Sequence, residues 1–165
     1  MLINYWPTQF TIVTSGFGAD PAYYRQFDLP GHEGIDVRAQ HRAYVSPIYS
    51  CADGRIAFMG YRRPDDPYGY QVRIKVQHEG HEYELVYAHL ANNSCELQLE
   101  QPVRPGTVVG IGGATGNARG VHLHLSIKRK DATHNKETPY PFDLINPEPL
   151  FKEYIKKMGL EVEWQ

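Results

Sequence analysis

Cysteine is scarce in this 165-residue chain, with Cys51 and Cys95 the only two. Two isolated thiols make neither a disulfide framework nor a cysteine-based zinc site. They read as buried and unpaired, with a single bridge between them as the alternative. An excess of one charge is lacking too: 17 Lys and Arg stand against 19 Asp and Glu, for a formal net charge of −2. That balance excludes a strongly basic nucleic-acid binder. Long apolar runs are missing, and the start, Met1-Leu2-Ile3-Asn4-Tyr5-Trp6-Pro7, has no basic segment followed by an apolar one. Neither a signal peptide nor a membrane span is therefore expected here. With a mean hydropathy of −0.51 and this length, residues 1–165 are expected to form one globular domain with its own core.

Helical periodicity is also nearly absent. Most of the chain reads as short strands separated by Gly, Pro, Asn and Asp, which predicts an all-β domain without internal helices. Three segments alternate. In Gln71 to Gln77, Val72, Ile74 and Val76 share the apolar face. In Leu85 to Leu90, Val86, Ala88 and Leu90 are assigned to one face, leaving Tyr87 and His89 opposite. In Val121 to Lys128, Val121, Leu123, Leu125 and Ile127 face one way, and His122, His124, Ser126 and Lys128 the other. Strands with an apolar inner face present their polar residues together on the outer one, so three histidines could project from one side of a sheet. His78-Glu79-Gly80-His81 reads as a hairpin turn with Gly80 at positive φ. The glycine-rich run from Gly112 to Gly120 reads as a loop leading into the histidine strand. One helix is expected at the end, capped by Asn146, with Pro147 in its first turn and a stripe of Leu150, Phe151, Tyr154 and Ile155, stopped by Gly159.

Metal-binding chemistry concentrates in two places. Gly31-His32-Glu33-Gly34-Ile35-Asp36 offers an imidazole and a carboxylate four positions apart, both suited to zinc. His122 and His124 lie two apart on a strand and so share a face. Three ligands, two further histidines and an open position make up the inventory of a catalytic zinc site. Spacing alone leaves open which histidine plays which part. A helical H-E-x-x-H reading of residues 32–36 fails, because Pro30-Gly31 and the internal Gly34 oppose a helix.

Taken in order, Thr14-Ser15-Gly16-Phe17-Gly18, His32-Glu33-Gly34-Ile35-Asp36, Asp53-Gly54-Arg55-Ile56, Tyr87-Ala88-His89-Leu90 and Gly113-Ala114-Thr115-Gly116 leading to His122-Leu123-His124 resemble the lysostaphin-like, or M23, zinc endopeptidases. The similarity runs from about Thr14 to the segment Phe142 to Pro147. The resemblance implies a mainly antiparallel fold of the duplicated hybrid motif type, with a substrate groove. It implies one zinc per chain on His32, Asp36 and His124, and it makes His89 and His122 the non-ligand catalytic histidines. Peptidoglycan stem peptides or cross-bridges become the expected substrate. The cell envelope or extracellular space becomes the expected setting, reached as part of a larger wall or phage protein or by another export route. Departures from the family pattern are Val121 for the usual Pro, Leu125 for an aromatic, Ser126 where Glu is common, and the segment Ala39 to Pro47. Tyr23 and Tyr24, before the first ligand, are candidate substrate contacts. His41, His78, His81 and His134 read as loop residues. Two other roles fit the same residues less well: a non-catalytic wall-binding or hydrolase-regulating domain, and a phosphocarrier, which would not need Asp36.

Overall fold

A computed structural model describes residues 1–130, 140 and 143–165 of the chain. Its strands are β1 (Ile12–Ser15), β2 (Ile35–Arg38), β3 (Gln40–His41), β4 (Tyr44–Val45), β5 (Pro47–Tyr49), β6 (Gly54–Gly60), β7 (Tyr70–His78), β8 (His81–Leu90), β9 (Pro102–Val103), β10 (Val108–Ile111), β11 (His122–Arg129), β12 (Leu144–Ile145) and β13 (Glu163–Trp164). Two helices join them, α1 (Pro21–Tyr24), continued by a 3₁₀ turn over Arg25–Phe27, and α2 (Glu148–Met158). Among the described residues nine strands form one sheet, in the order β13-β1-β2-β11-β8-β7-β6-β9 with β12 beside β11. All of its pairings are antiparallel except β1 with β13.

Register gives the sheet two different faces. Directly paired residues share a face, so Val37 with Leu123, Ile35 with Leu125, and Leu125 with Tyr87 line up on the inner side. Val72 and Ile74 continue that row. All are fully buried in one core. The N-terminal segment closes it: Asn4 N donates to the Cys51 carbonyl at 2.8 Å, and the rings of Trp6 and Phe151 meet edge to face at 5.6 Å. Phe151 is the buried anchor of α2.

Several expectations hold and three change. The 78–81 turn forms with both Glu79 (φ 50°) and Gly80 (φ 80°) in left-handed conformation, the pattern of a two-residue hairpin turn that matches strand twist. Cys51 and Cys95 are free thiols, Cys51 buried as expected and Cys95 only partly so. The terminal helix starts one residue later than expected, with Pro147 in the cap position and the Asn146 side chain accepting from Glu148 N at 2.9 Å. Internal helix does exist as α1, which the Asp20 carboxylate caps by accepting from Tyr23 N at 3.2 Å. Four residues are too few to leave a periodic pattern in a sequence.

The third change concerns β8. Leu85 and Tyr87 face the core, and Val86 and Ala88 join the opposite face beside Ser126 and His124. Plain alternation would then carry His89 inward with Tyr87. It does not, because between the pairs Tyr70–Leu90 and Val72–Tyr87 strand β8 contains one more residue than β7. This is a β-bulge, and His89 occupies it with φ 60°. An extra residue in one strand re-aims a side chain. His89 thereby reaches the same face as His122 and His124.

Candidate metal centre

Strands β2 and β11 deliver two of the three donors in register, since His124 pairs directly with Asp36. His32 comes from the loop before β2. That loop is pinned to residues 16–19 by Gly18 N donating to the His32 carbonyl and His32 N to the Ala19 carbonyl, both at 2.8 Å. Gly34 permits the approach: a Cβ there would stand 2.4 Å from the Leu125 carbonyl oxygen and 3.0 Å from His124 Nε2.

The donor atoms form a nearly equilateral triangle. His32 Nε2 lies 2.9 Å from His124 Nδ1, and Asp36 Oδ1 lies 3.1 Å from His32 Nε2 and 3.0 Å from His124 Nδ1. Ligands of a tetrahedral zinc at ~2.0–2.1 Å stand roughly 3.3 Å apart, so little movement separates this arrangement from coordination. Two imidazole nitrogens and one carboxylate oxygen directed at one point fit a divalent transition metal, and these three residues could hold one. The outer contacts of His32 agree. His32 Nδ1 faces the Gly16 carbonyl at 3.0 Å and so carries the proton, which leaves Nε2 as a lone-pair donor. The Ser15 hydroxyl lies 3.2 Å from the same Nδ1. His124 Nε2 is buried without a partner among the described residues.

Charge follows from this packing. Burial opposes ionisation of Asp36, yet hydrogen bonds and attraction from His124 and His32 hold its carboxyl far below the usual carboxylate range. Burial likewise disfavours the charged form of His32, and Asp36 more than offsets it, so the His32 pKa is raised.

His89 and His122 flank the triangle. Their rings are 4.9 Å apart, and His122 Nε2 is 3.7 Å from Asp36 Oδ1. Each has its Nδ1 on a backbone carbonyl at 2.8 Å, Thr115 for His89 and Gly120 for His122. A carbonyl can only accept, so Nδ1 carries the proton in both and Nε2 points elsewhere. Burial, reinforced by His124 and His122, pushes the His89 pKa down to about 4. His89 is therefore neutral at pH 7, with Nε2 free to accept a proton.

A cavity of about 240 Å³ opens over these residues, walled by Tyr23 and Tyr24 on one side and by Asn117, Ala118 and Arg119 on the other. Tyr24 stacks against His32 at 5.4 Å, and the Arg119 guanidinium lies 5.4 Å over the Tyr23 ring. Both tyrosines expected near the groove line it. An adjoining hollow brings in Tyr68 and Glu33, whose hydroxyl and carboxylate are hydrogen-bonded. Tyr68 also packs on His124 at 5.2 Å. Sequence reasoning missed Tyr68, Glu33 and Arg119. Glu33 lies inside a motif already noticed, but Tyr68 and Arg119 lie in loops whose residue types carry no signal. His41, His78 and His81 lie outside the cavity, and His134 falls outside the described residues, as does Phe142 at the end of the family-like stretch.

The chain belongs to peptidase family M23, whose sequence profile matches residues 30–136. It is 32% identical over 150 residues to the DD-carboxypeptidase/endopeptidase Mpg of Neisseria meningitidis serogroup B, a match covering 88% of this chain and 30% of that protein. Helicobacter pylori Csd3 superposes with a TM-score of 0.61 at 28% identity, over 90% of this chain and 33% of the other. The antimicrobial peptidase lysostaphin from Staphylococcus simulans shares the fold, with a TM-score of 0.62 at 19% identity over 87% of this chain and 50% of that one. The chain spans less than a third of the length of the curated relatives it matches.

Proposed function

We propose that this chain is a zinc metalloendopeptidase that hydrolyses peptide bonds in peptidoglycan stem peptides or cross-bridges, in the cell envelope or outside the cell. Three donor atoms within 3.1 Å of one another, flanked by a neutral histidine, carry the reading. His32, Asp36 and His124 would hold one zinc ion. Bound there, the ion supplies Lewis acidity that polarises a carbonyl and acidifies a water.

The chain's own residues do the rest. His89 Nε2 accepts the proton of the attacking water, a role that requires the neutral form its buried position favours. His122, whose ring lies 4.9 Å from that of His89, can donate from Nε2 to the oxygen on which charge develops when both its ring nitrogens carry protons, since Nδ1 already donates to Gly120. Hydrogen bonds to Thr115 and Gly120 fix both rings, so neither must reorganise during attack. Tyr23 and Tyr24 wall the cavity and supply flat surfaces against which a peptide can lie. Relatives described as peptidases, among them the DD-carboxypeptidase/endopeptidase Mpg, support the reaction class.

The test is zinc content by elemental mass spectrometry, with loss of turbidity of purified peptidoglycan, for wild type and Asp36→Ala. About one zinc per chain, lost together with lysis in the variant, is the expected result. A folded wild type that takes up no zinc and lyses nothing after zinc is added would sink the reading and favour a non-catalytic wall-binding or regulatory role.

A further inference from the structure

The cavity over the candidate metal centre does not end at its own walls. It shares His89 and His124 with the adjoining hollow, to which Phe27, Leu29 and Pro67 give an apolar lining. Through Glu33 and Tyr68 that hollow passes into a third compartment of about 340 Å³. The sheet explains the line they make. His124, Ser126 and Lys128 alternate onto one face of β11, Ser126 pairs with Val86, and Val86 pairs with Arg73. Paired residues share a face, so Lys128 and Arg73 rise from the same side as His124. Four residues of strand place Lys128 ~13 Å from His124 along β11.

The third compartment is cationic. Arg73 and Lys128 belong to its floor, and Arg62 and Arg63 reach it from the loop between β6 and β7. The two acids in its lining are committed to the structure. Asp66 accepts from Arg62 N at 3.1 Å, Tyr68 N at 2.9 Å and Gln71 Nε2 at 2.8 Å, and Glu33 accepts from the Tyr68 hydroxyl. Arg73 is only 7% exposed. Its Nε donates to Gln71 Oε1 at 2.7 Å and its Nη1 to Glu84 Oε1 at 2.8 Å, which fixes the guanidinium and leaves Nη2 as its remaining donor. The Arg62 guanidinium lies 5.5 Å over the Phe58 ring and makes no ion pair among the described residues. Burial first and the Arg73 charge second push the Lys128 pKa down to about 8. An ammonium kept from water beside a like charge is a cost that a bound anion relieves. Glu33 and Asp66 in the same lining disfavour a phosphate dianion, so a carboxylate is the better match.

Resting on the peptidase reading above, we propose that this basic compartment is a substrate subsite, which takes a carboxylate carried by the bound peptide three or four residues from the bond cut at the metal. An extended peptide rising ~3.3 Å per residue covers the ~13 Å from His124 to Lys128 in that number of residues. The uncharged stretch between the two ends would lie in the apolar hollow. Arg62 and Lys128 are the specificity-determining residues, each donating to the carboxylate, and Glu84 positions Arg73 behind them. The charge recognised is thus remote from the bond that breaks, and its binding energy holds the peptide in register over the metal.

The experiment uses zinc-loaded protein and peptide dimers released from purified peptidoglycan by a glycan-cleaving enzyme, either native or with their carboxylates converted to amides by carbodiimide and ammonia. Chromatography of the products gives kcat and KM. Calorimetric titration of His89→Gln, whose metal ligands are intact, gives affinity without turnover. Native dimers should be preferred by about tenfold or more in kcat/KM and in affinity, as expected for charge-assisted pairs. Arg62→Gln with Lys128→Gln should remove most of that preference, mainly by raising KM for the native dimers, with zinc content as in wild type. Arg62 is exposed, so Arg62→Glu alone, expected to weaken the preference further than Arg62→Gln, makes the same test without disturbing the floor. Equal kcat/KM and equal affinity for the two forms would overturn the inference while cleavage of both leaves the peptidase reading standing. A preference that survives the double substitution would also overturn it, because the carboxylate would then be read elsewhere in the groove. Tighter binding of native dimers that needs Arg62 and Lys128, with no cleavage of either form, would sink the peptidase reading and keep the subsite.

Discussion

Gly34→Ala is a small change with a large expected effect on the centre. The added methyl would stand 2.4 Å from the Leu125 carbonyl oxygen, 2.9 Å from His124 Cε1 and 3.0 Å from His124 Nε2. Position 34 has no left-handed backbone, so the conflict is one of space. Leu125 is fully buried and fixed in the sheet by its pairings with Ile35 and Tyr87, so the carbonyl yields only if β2 and β11 separate. Overpacking of this kind costs roughly 1–3 kcal/mol. For a domain of this size each kcal/mol lowers the melting temperature by ~2–4 °C, so a cost of ~2 kcal/mol predicts a fall of ~4–8 °C in metal-free protein. The relief moves the His124 ring as well. The variant should therefore bind zinc more weakly at equal concentration, read as lower stoichiometry after dialysis against a weak chelator. A metal-free melting temperature within ~1 °C of wild type, together with wild-type zinc retention, would refute the reasoning, because it would mean that the loop can step away from His124 at no cost.

His89→Gln should retain zinc and lose roughly 10²–10⁴-fold in kcat; full activity would remove His89 from the mechanism. Protonated His89 cannot accept a proton, and its pKa lies at about 4, so kcat/KM should fall on the acid side through that region. A limb centred near the ordinary histidine value of ~6.5 would contradict its burial. Phe151→Ala, which empties a fully buried site against Trp6, should cost ~3–5 kcal/mol in chemical unfolding with zinc stoichiometry unchanged. A cost below ~1 kcal/mol would mean that α2 adds little to the core.

Much of this arrangement was legible because strands write their burial with a period of two. His122-Leu123-His124-Leu125 announces one face of β11 directly, and register then sets His124 against Asp36. The same rule failed for Tyr87-Ala88-His89. A bulge adds a residue without altering composition, so alternation places Val86 and Ala88 on the core side when they lie under the groove. Tyr68 and Arg119 were illegible for another reason. Both reach the centre through loops, and loop closure over tens of residues leaves no local pattern. Short α1 escaped notice because its stability comes from one Asp20 cap and its surroundings.

The left-handed residue at His89 also ties the aim of a side chain to the pairing of a strand. Removing one residue of β8 before position 89 would do more than displace a side chain. It would slide the strand along β7 and β11, turn the histidine toward the core, and bring Tyr87 out of contact with the Cys51 amide that its hydroxyl accepts at 2.8 Å. In this chain the orientation of the proposed base and the alignment of the central strands are therefore a single variable, and a deletion there is expected to appear as lost folding and not as altered chemistry alone.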